Sequence, residues 1–246
     1  METDSKTNLL KEASDRPQVY SSPAIIARRQ RILEETRKII SEQGISALSM
    51  NEVGLRAGVA KRTLYNAFQT RERMIATAIQ EYFDEFVGHI HFTNASGTMM
   101  HNLERMISVV QRNRQIRNYI KAIMSLYFSP DADSDIWLAM HSMATRPNLK
   151  WLKILQSKKQ LQPWVHVERL AEDAVRIEYA IINDWALGRF PDDEIVVRLI
   201  TSYLTFILGA TRGPARKEIE ELLKRIDAEG VVALPEPKSL KGIKVA

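Results

Sequence analysis

Five polar side chains fall within one short predicted helix, and their types suit nucleic-acid binding. They comprise two cations, a hydroxyl, a phenol and an amide: Lys61, Arg62, Thr63, Tyr65 and Asn66. Leu64 and Phe68 form an apolar i, i+4 pair on the same helix, which predicts that the polar set faces outward. Such side chains bond phosphate oxygens and the edges of bases. The segment therefore predicts a DNA-binding surface.

The elements that must hold these side chains read as a helix-turn-helix. Ser49 and Glu52 form a capping box that begins a short helix ending near Ala57. Gly58 then makes a turn, and a second short helix runs over about residues 60–68. Two short helices joined through a glycine-containing turn are the unit whose second helix enters the major groove. An ordinary helical hairpin with a basic surface is the alternative that this pattern alone leaves open.

Charge is concentrated in the same part of the chain. The 246 residues hold 35 Lys+Arg and 30 Asp+Glu, a net charge of +5. Residues 24–75 carry ten basic and five acidic side chains, whereas residues 1–23 are slightly acidic and residues 76–246 nearly neutral. This asymmetry favours a polyanionic partner, although a solvated basic face would give the same count.

The segment SMNEVGLRAGVAKRTLYNAFQTRERM, residues 49–74, resembles the DNA-binding domain of the TetR family of transcriptional regulators. The likeness covers about residues 28–86 and is carried by the string AGV-x-x-x-TLY-x-x-F-x-x-R-E. Ala60 departs from the family's Ser or Thr cap, and Gly54 stands where the family usually has Ala. Each departure costs about 1 kcal/mol of helix stability, which predicts a softer recognition unit.

The resemblance implies a set of DNA contacts. The side chains that would face the groove from the second helix are Lys61, Arg62, Thr63 and Asn66. Those that would each hold a phosphate are Tyr65 and Arg71. Those that would reach the backbone or bases from the first helix of the unit are Met50 and Asn51. Those that would lie near the minor-groove flank are Arg28, Arg29 and Arg31.

Helical periodicity extends over nearly the whole chain, which predicts an all-α fold. We expect a mobile arm at 1–21, an N-terminal three-helix helix-turn-helix DNA-binding domain at 22–92, a C-terminal helical ligand-binding and dimerisation domain at 98–230, and a tail at 231–246. Within the C-terminal domain, amphipathic segments separated by prolines predict helices at about 99–114, 116–128, 133–145, 148–159, 165–188, 192–211 and 214–229.

Two late helices carry wide apolar stripes, which indicate either core packing or a four-helix interface between two copies. The resemblance to TetR regulators favours a homodimer. The predicted interface residues are Ile181, Trp185, Leu199, Tyr203, Phe206 and Ala210. Aromatic residues at helical spacing more often belong to a plain core, but they can also line an apolar effector pocket, and the candidates for one are Tyr127, Trp137, Met140 and Trp151.

Other classes of function lack support. The chain has no cysteine, no GxSxG motif, no phosphate-binding loop and no paired metal motif, so we expect no enzyme, no metal and no cofactor. The longest apolar stretch, residues 199–211, is short of the roughly 20 needed to span a membrane, so we expect a cytoplasmic protein with no membrane partner.

The sequence thus predicts a ligand-responsive regulator: a repressor that binds a palindromic operator in double-stranded DNA as a homodimer and is released by a small-molecule effector. The competing readings are an all-α enzyme without a recognisable motif and a basic module that binds membrane surfaces or proteins.

Overall fold

The computed structural model describes residues 22–236, and their regular structure is entirely helical apart from one isolated β-bridge between Leu161 and Thr211. The all-α prediction is confirmed. The predicted arm at 1–21 lies outside the described residues, as does the end of the predicted tail. The ten α-helices of residues 22–236 are α1 (Pro23–Gln43), α2 (Met50–Ala57), α3 (Lys61–Phe68), α4 (Arg71–Gly88), α5 (Met99–Gln115), α6 (Arg117–Tyr127), α7 (Ser134–Ser157), α8 (Val167–Ala186), α9 (Ile195–Ala210) and α10 (Gly213–Glu229).

Helices α1–α4 pack around one apolar centre. Helix α1 begins at Pro23, and the Ser22 side chain before it makes no capping hydrogen bond. It buries Ile32, Ile39 and Ile40 and contacts both α2 and α4. Gly44 ends α1 with a φ of 82°, and the 3₁₀ turn Ile45–Ala47 leads into α2. Helix α1 therefore supports the helix-turn-helix from behind.

Helix α4 joins this group to the rest of the molecule because it packs lengthwise against α7. Helix α8 lies against α6, α7 and α9, and α10 covers part of α9. Ion pairs reinforce the α4–α7 contact at two points: Arg73 lies 3.1 Å from Asp135, and Arg146 lies 3.8 Å from Asp84. Within residues 22–236, no helix is long and apolar enough to cross a membrane.

Helix α7 corrects one prediction. Residues 133–145 and 148–159 were expected to form two helices separated at Pro147, but they form one helix with Pro147 inside it. Proline cannot donate to the carbonyl of Met143 one turn earlier, which costs about 3 kcal/mol. Ala144, Asn148 and Trp151 are buried on both sides of the proline. The packing of this face against α4 and α8 holds the helix continuous.

The predicted dimer-interface stripe also needs correction. Trp185, Leu199 and Tyr203 are wholly buried within one protomer, and Ala210 is nearly so, whereas Ile181 and Phe206 are half-buried. The stripes of α8 and α9 face each other and their neighbours, so most of the apolar surface is satisfied inside one chain. The side chains of Trp185, Leu199, Tyr203 and Ala210 are therefore not available to a second copy.

The end of the described chain is ordered as a turn. Gly230, with a φ of 62°, ends α10, and Gly230–Ala233 form a 3₁₀ turn in which Ala233 is buried. Val231 and Val232 remain exposed on its surface.

Candidate DNA-binding surface and buried cavity

Helix α2 and the turn after it have the geometry that their sequence predicts. The Ser49 hydroxyl accepts a hydrogen bond from the Glu52 backbone N–H at 3.1 Å. Gly58 adopts a left-handed conformation (φ 64°, ψ 40°) that closes the helix, which glycine reaches without a Cβ penalty. The turn at Gly58 therefore fixes the orientation of α3 relative to α2.

Helix α3 has one buried face and one exposed face. Leu64 and Phe68 are buried in the core that α1–α4 share, and Thr63 is half-buried. The polar side chains exposed on the other face are Lys61, Arg62, Tyr65 and Asn66. The Lys61 ammonium lies 5.9 Å from the centre of the Tyr65 ring, which keeps cation and phenol together. These positions are compatible with the predicted DNA contacts.

The two departures from the family pattern have different consequences. Ala60 precedes α3 and provides no side-chain cap, so the predicted loss of helix stability applies at this position. A Cβ on Gly54, however, would lie 3.0 Å from the carbonyl oxygen of Val59, and the Val59 N–H bonds to the Gly54 carbonyl at 2.9 Å. Gly54 thus allows a close approach between α2 and the turn, and it is not simply a weak point of the unit.

Arg71 has protein partners that its sequence position did not reveal. Its Nε donates to the Leu48 carbonyl and its Nη2 to the Ile45 carbonyl, both at 2.7 Å, and its Nη1 contacts Glu72 at 3.2 Å. The guanidinium fastens the start of α4 to the turn before α2. A contact between Arg71 and a DNA phosphate remains a prediction. It would have to use guanidinium N–H groups that do not take part in these hydrogen bonds.

Replacement of Arg71 by methionine is expected to lower the free energy of unfolding by about 2–3 kcal/mol, because two hydrogen bonds from a charged donor are lost. Urea unfolding followed by circular dichroism measures this. The matched control is Arg62→Met on the exposed face of α3, for which we expect a change within about 0.5 kcal/mol. An Arg71 variant with unchanged stability but weaker DNA binding would contradict the bracing role and favour a phosphate contact.

The flanking residues divide into exposed and engaged side chains. Arg28, Arg31 and Asn51 are exposed, as DNA contacts require. Arg29 is bound to the Glu81 carboxylate at 2.6 Å and lies over the Phe68 ring, so it joins α1 to α3 and α4. The Met50 side chain is 5% exposed and belongs to the core. The prediction of a DNA contact for that side chain is therefore wrong.

A second feature lies among α4, α5, α6, α7 and α8, where the helices line a partly open cavity of about 280 Å³. Of the predicted pocket residues, Met140 lines this cavity. Tyr127 stacks on Trp137 with ring centres 5.7 Å apart and hydrogen-bonds to His141 at 2.8 Å, and Trp151 packs near Tyr203. These three aromatic residues therefore serve the core beside the cavity.

Sequence reasoning missed the two buried charged residues of the cavity wall, Arg105 and Glu178. A signal was present for Glu178, because Ala174, Val175 and Ile182 share its face of α8 at helical spacing and are all buried. A charged residue on such a stripe is rarely buried without a role. Arg105 gave a weaker signal, since α5 also carries other polar residues on its buried face.

Comparison with known proteins agrees with this architecture. Residues 32–78 match the family model for bacterial regulatory proteins of the tetR family. The match spans part of α1, the helix-turn-helix and the start of α4. The chain is 34% identical over 61 residues to an HTH-type transcriptional regulator of Staphylococcus aureus strain USA300, and this alignment covers 25% of the chain and 33% of the relative. The same figures hold for the regulator of strain N315. The chain thus spans about a third of the length of the curated relatives it matches.

Solved structures share the fold of the chain beyond the matched segment. Thermus thermophilus FadR, a TetR-family transcriptional repressor in complex with lauroyl-CoA, has a TM-score of 0.55 at 14% identity, covering 76% of this chain and 97% of that one. Salmonella enterica GusR has a TM-score of 0.55 at 20% identity, covering 76% and 97%. Pseudomonas aeruginosa NalD, the secondary repressor of the MexAB-OprM multidrug efflux pump, has a TM-score of 0.52 at 15% identity, covering 76% and 98%. At these identities the likeness concerns the fold alone.

Proposed function

We propose that the protein is a transcriptional repressor that binds a palindromic operator as a homodimer and releases it when a small-molecule effector binds. The observation that carries the proposal is the two-sided construction of α3. Leu64 and Phe68 anchor one face, and the other presents exposed cationic, phenolic and amide groups. Known relatives support it, since both FadR and NalD are described as repressors.

Each protomer would insert α3 into a major groove. Lys61 and Asn66 have the donors and acceptors that read base edges, and Tyr65 can bond a phosphate. In a symmetric dimer the two copies of α3 would read half-sites about 34–36 Å apart, or slightly more. A palindromic site follows from the twofold symmetry of such a dimer.

The homodimer would form through the faces that α8 and α9 leave uncovered. Ile177 and Ile181 on α8 and Phe206 on α9 are half-buried in the single chain. Two such helices from each copy can form a four-helix interface. The contact proposed here is narrower than the stripe that periodicity predicted, because much of that stripe is already used inside the protomer.

Effector release would act through α4. Phe83, Asp84 and Val87 of this helix line the cavity, and Arg71 at its start holds the carbonyls of Ile45 and Leu48 beside α2. A molecule bound in the cavity would favour one position of α4 over another. The population of dimers with correctly spaced α3 helices would then change.

An electrophoretic shift tests the DNA-binding part of the proposal. The probe is the promoter upstream of the protein's own gene, and a shuffled duplex of equal length is the control. We expect a specific complex whose affinity falls steeply between 50 and 200 mM salt, on the order of 10³-fold if about six phosphates are contacted. Equal affinity for both duplexes at each salt concentration would overturn sequence-specific regulation.

Tyr65→Phe is expected to weaken binding to the promoter and to the shuffled duplex alike, by about tenfold at fixed salt, because a phosphate contact carries no sequence information. Asn66→Ala is the comparison variant, since Asn66 is exposed on the same helix. It is expected to lower the preference for one base pair of each half-site by about 1–3 kcal/mol. Fluorescence anisotropy on a set of single-base operator variants measures both. A Tyr65→Phe protein with unchanged affinity would remove the phosphate assignment.

A further inference from the structure

The wall of the cavity contains a buried ion pair that is not closed by a hydrogen bond. The side chains of Arg105 and Glu178 are 7% and 3% exposed, and their nearest atoms, Nη2 and Oε2, are 3.9 Å apart. Charged hydrogen bonds of this type measure about 2.7–2.9 Å. Among the described residues, these two atoms and the Nε of Arg105 have no hydrogen-bond partner. Two desolvated charges in this state are costly, since attraction offsets burial only when the remaining donors and acceptors are satisfied.

The distance between the two atoms indicates what would satisfy them. One atom about 2.8 Å from both Nη2 and Oε2 would subtend an angle of about 90°, which a hydroxyl oxygen tolerates. A hydroxyl can accept from the guanidinium and donate to the carboxylate at once. A carboxylate has no proton to donate to Glu178, and an ammonium has no lone pair to accept from Arg105.

The charge balance of the cavity favours an uncharged ligand. Arg105 and Glu178 compensate each other, and Asp84 and Arg146, 3.8 Å apart and more than half exposed, do the same. A ligand with a net charge would add an uncompensated charge to a desolvated site. Burial raises the pKa of Glu178, whereas Arg105 and a hydrogen bond from Asn148 oppose that rise.

The remaining lining suits a small apolar body. Val109, Ile120, Ile123 and Met124 contribute from α5 and α6, and Met140 and Met143 from α7. Methionine side chains adapt to irregular shapes. The volume of about 280 Å³ lies just below the usual range of small-molecule sites, about 300–1,000 Å³, so the ligand must be small.

We propose that the effector is a small, uncharged, largely apolar molecule whose single hydroxyl group bridges Arg105 and Glu178. The inference rests on the proposed function, because it assigns a chemical class to the effector of that regulator. It requires a polar group in a defined place, so it separates three ligands that differ only at one end.

Isothermal titration calorimetry on the full chain at pH 7.5 tests it with 1-octanol, octanoate and octylamine. We expect 1-octanol to bind about tenfold more tightly than either charged analogue, since burial of an extra charge costs at least that much. Equal or tighter binding of octanoate or octylamine, or no binding of 1-octanol, would overturn the inference.

The promoter shift on the same preparation separates this result from the proposed function. If the protein binds its promoter specifically but prefers octanoate, the inference about the effector is wrong and the proposed function still stands. If the protein prefers 1-octanol but does not bind DNA specifically, the assignment of the cavity ligand stands and the proposed function as a regulator is wrong.

Glu178→Gln provides a second test, the order of affinities among the three ligands. That order would not change if Glu178 served only the structure of the protein. The variant leaves the Arg105 charge uncompensated, so octanoate is expected to gain about tenfold relative to 1-octanol. Glu168→Gln on an exposed turn of the same helix is the matched control and should keep the order of the wild type. Circular dichroism verifies that both variants fold, and the wild-type series decides the inference without them. An unchanged order in a folded Glu178→Gln protein contradicts it.

Discussion

Truncation of Leu64 to alanine is expected to lower the free energy of unfolding by about 2–5 kcal/mol and to abolish specific DNA binding. Leu64 is wholly buried, and α3 has only eight residues. A helix of that length is not stable alone in water, so tertiary contacts must hold it. The loss would therefore reach every polar group on the outer face of α3, although none of them is changed. Urea unfolding and the promoter shift measure the two effects.

Asn66→Ala is the matched control, because it removes an exposed side chain from the same helix. Its unfolding free energy should stay within about 0.5 kcal/mol of the wild type while its base preference changes. A Leu64→Ala protein that retained full affinity for the promoter would show that α3 does not depend on this anchor. The two-sided view of the helix would then fail.

Replacement of Arg105 by methionine is expected to cost about 3–5 kcal/mol at neutral pH, because Glu178 is left as a buried charge without a counter-ion. Burial already raises the pKa of this carboxyl above its ordinary value of 4.5, and loss of the guanidinium raises it further. The folded state then binds the proton more tightly than the unfolded state. The variant is therefore most stable below about pH 4.5 and loses stability as the pH rises through the folded pKa.

Unfolding in urea at pH 5 and pH 7.5 tests the size and the sign of this effect. The penalty of Arg105→Met relative to wild type should be larger at pH 7.5. The double variant Arg105→Met with Glu178→Leu should recover most of the loss, since an apolar pair of similar volume carries no buried charge. A penalty that is independent of pH and persists in the double variant would indicate damaged packing instead of an unpaired carboxylate.

The elements of the DNA-binding surface could be predicted from sequence because local signals specify them. Ser49 caps α2, Gly58 adopts the left-handed turn, and the apolar pair on α3 selects its buried face. Each of these depends on residues within one turn of each other. Arg71 could not be placed in this way, because its partners lie more than 20 residues earlier in the chain.

The features that sequence reasoning misplaced depend on the whole arrangement of helices. Periodicity reports that Trp185 and Tyr203 are buried, but it does not distinguish burial within one chain from burial between two. A proline inside a helical pattern usually marks the end of a helix. Helix α7 continues across Pro147 because residues on both sides of it are packed in the core. The cavity requires five helices to be in position before Arg105 and Glu178 meet.

Helix α4 also has a mechanical consequence. Arg71 braces its first turn and Phe83 lines the cavity near its other end, so the two sites are about 18 Å apart along a single rod. A rotation of α4 by about 3° at the cavity would move its braced end by about 1 Å, and in the proposed homodimer the opposite rotation of the second copy would double the change between the two α3 helices. Helix α4 would transmit only a rotation, whatever the chemical nature of the molecule that causes it. Under the proposed function, the residues that line the cavity can therefore change to suit another effector while the DNA-binding residues of α3 stay the same.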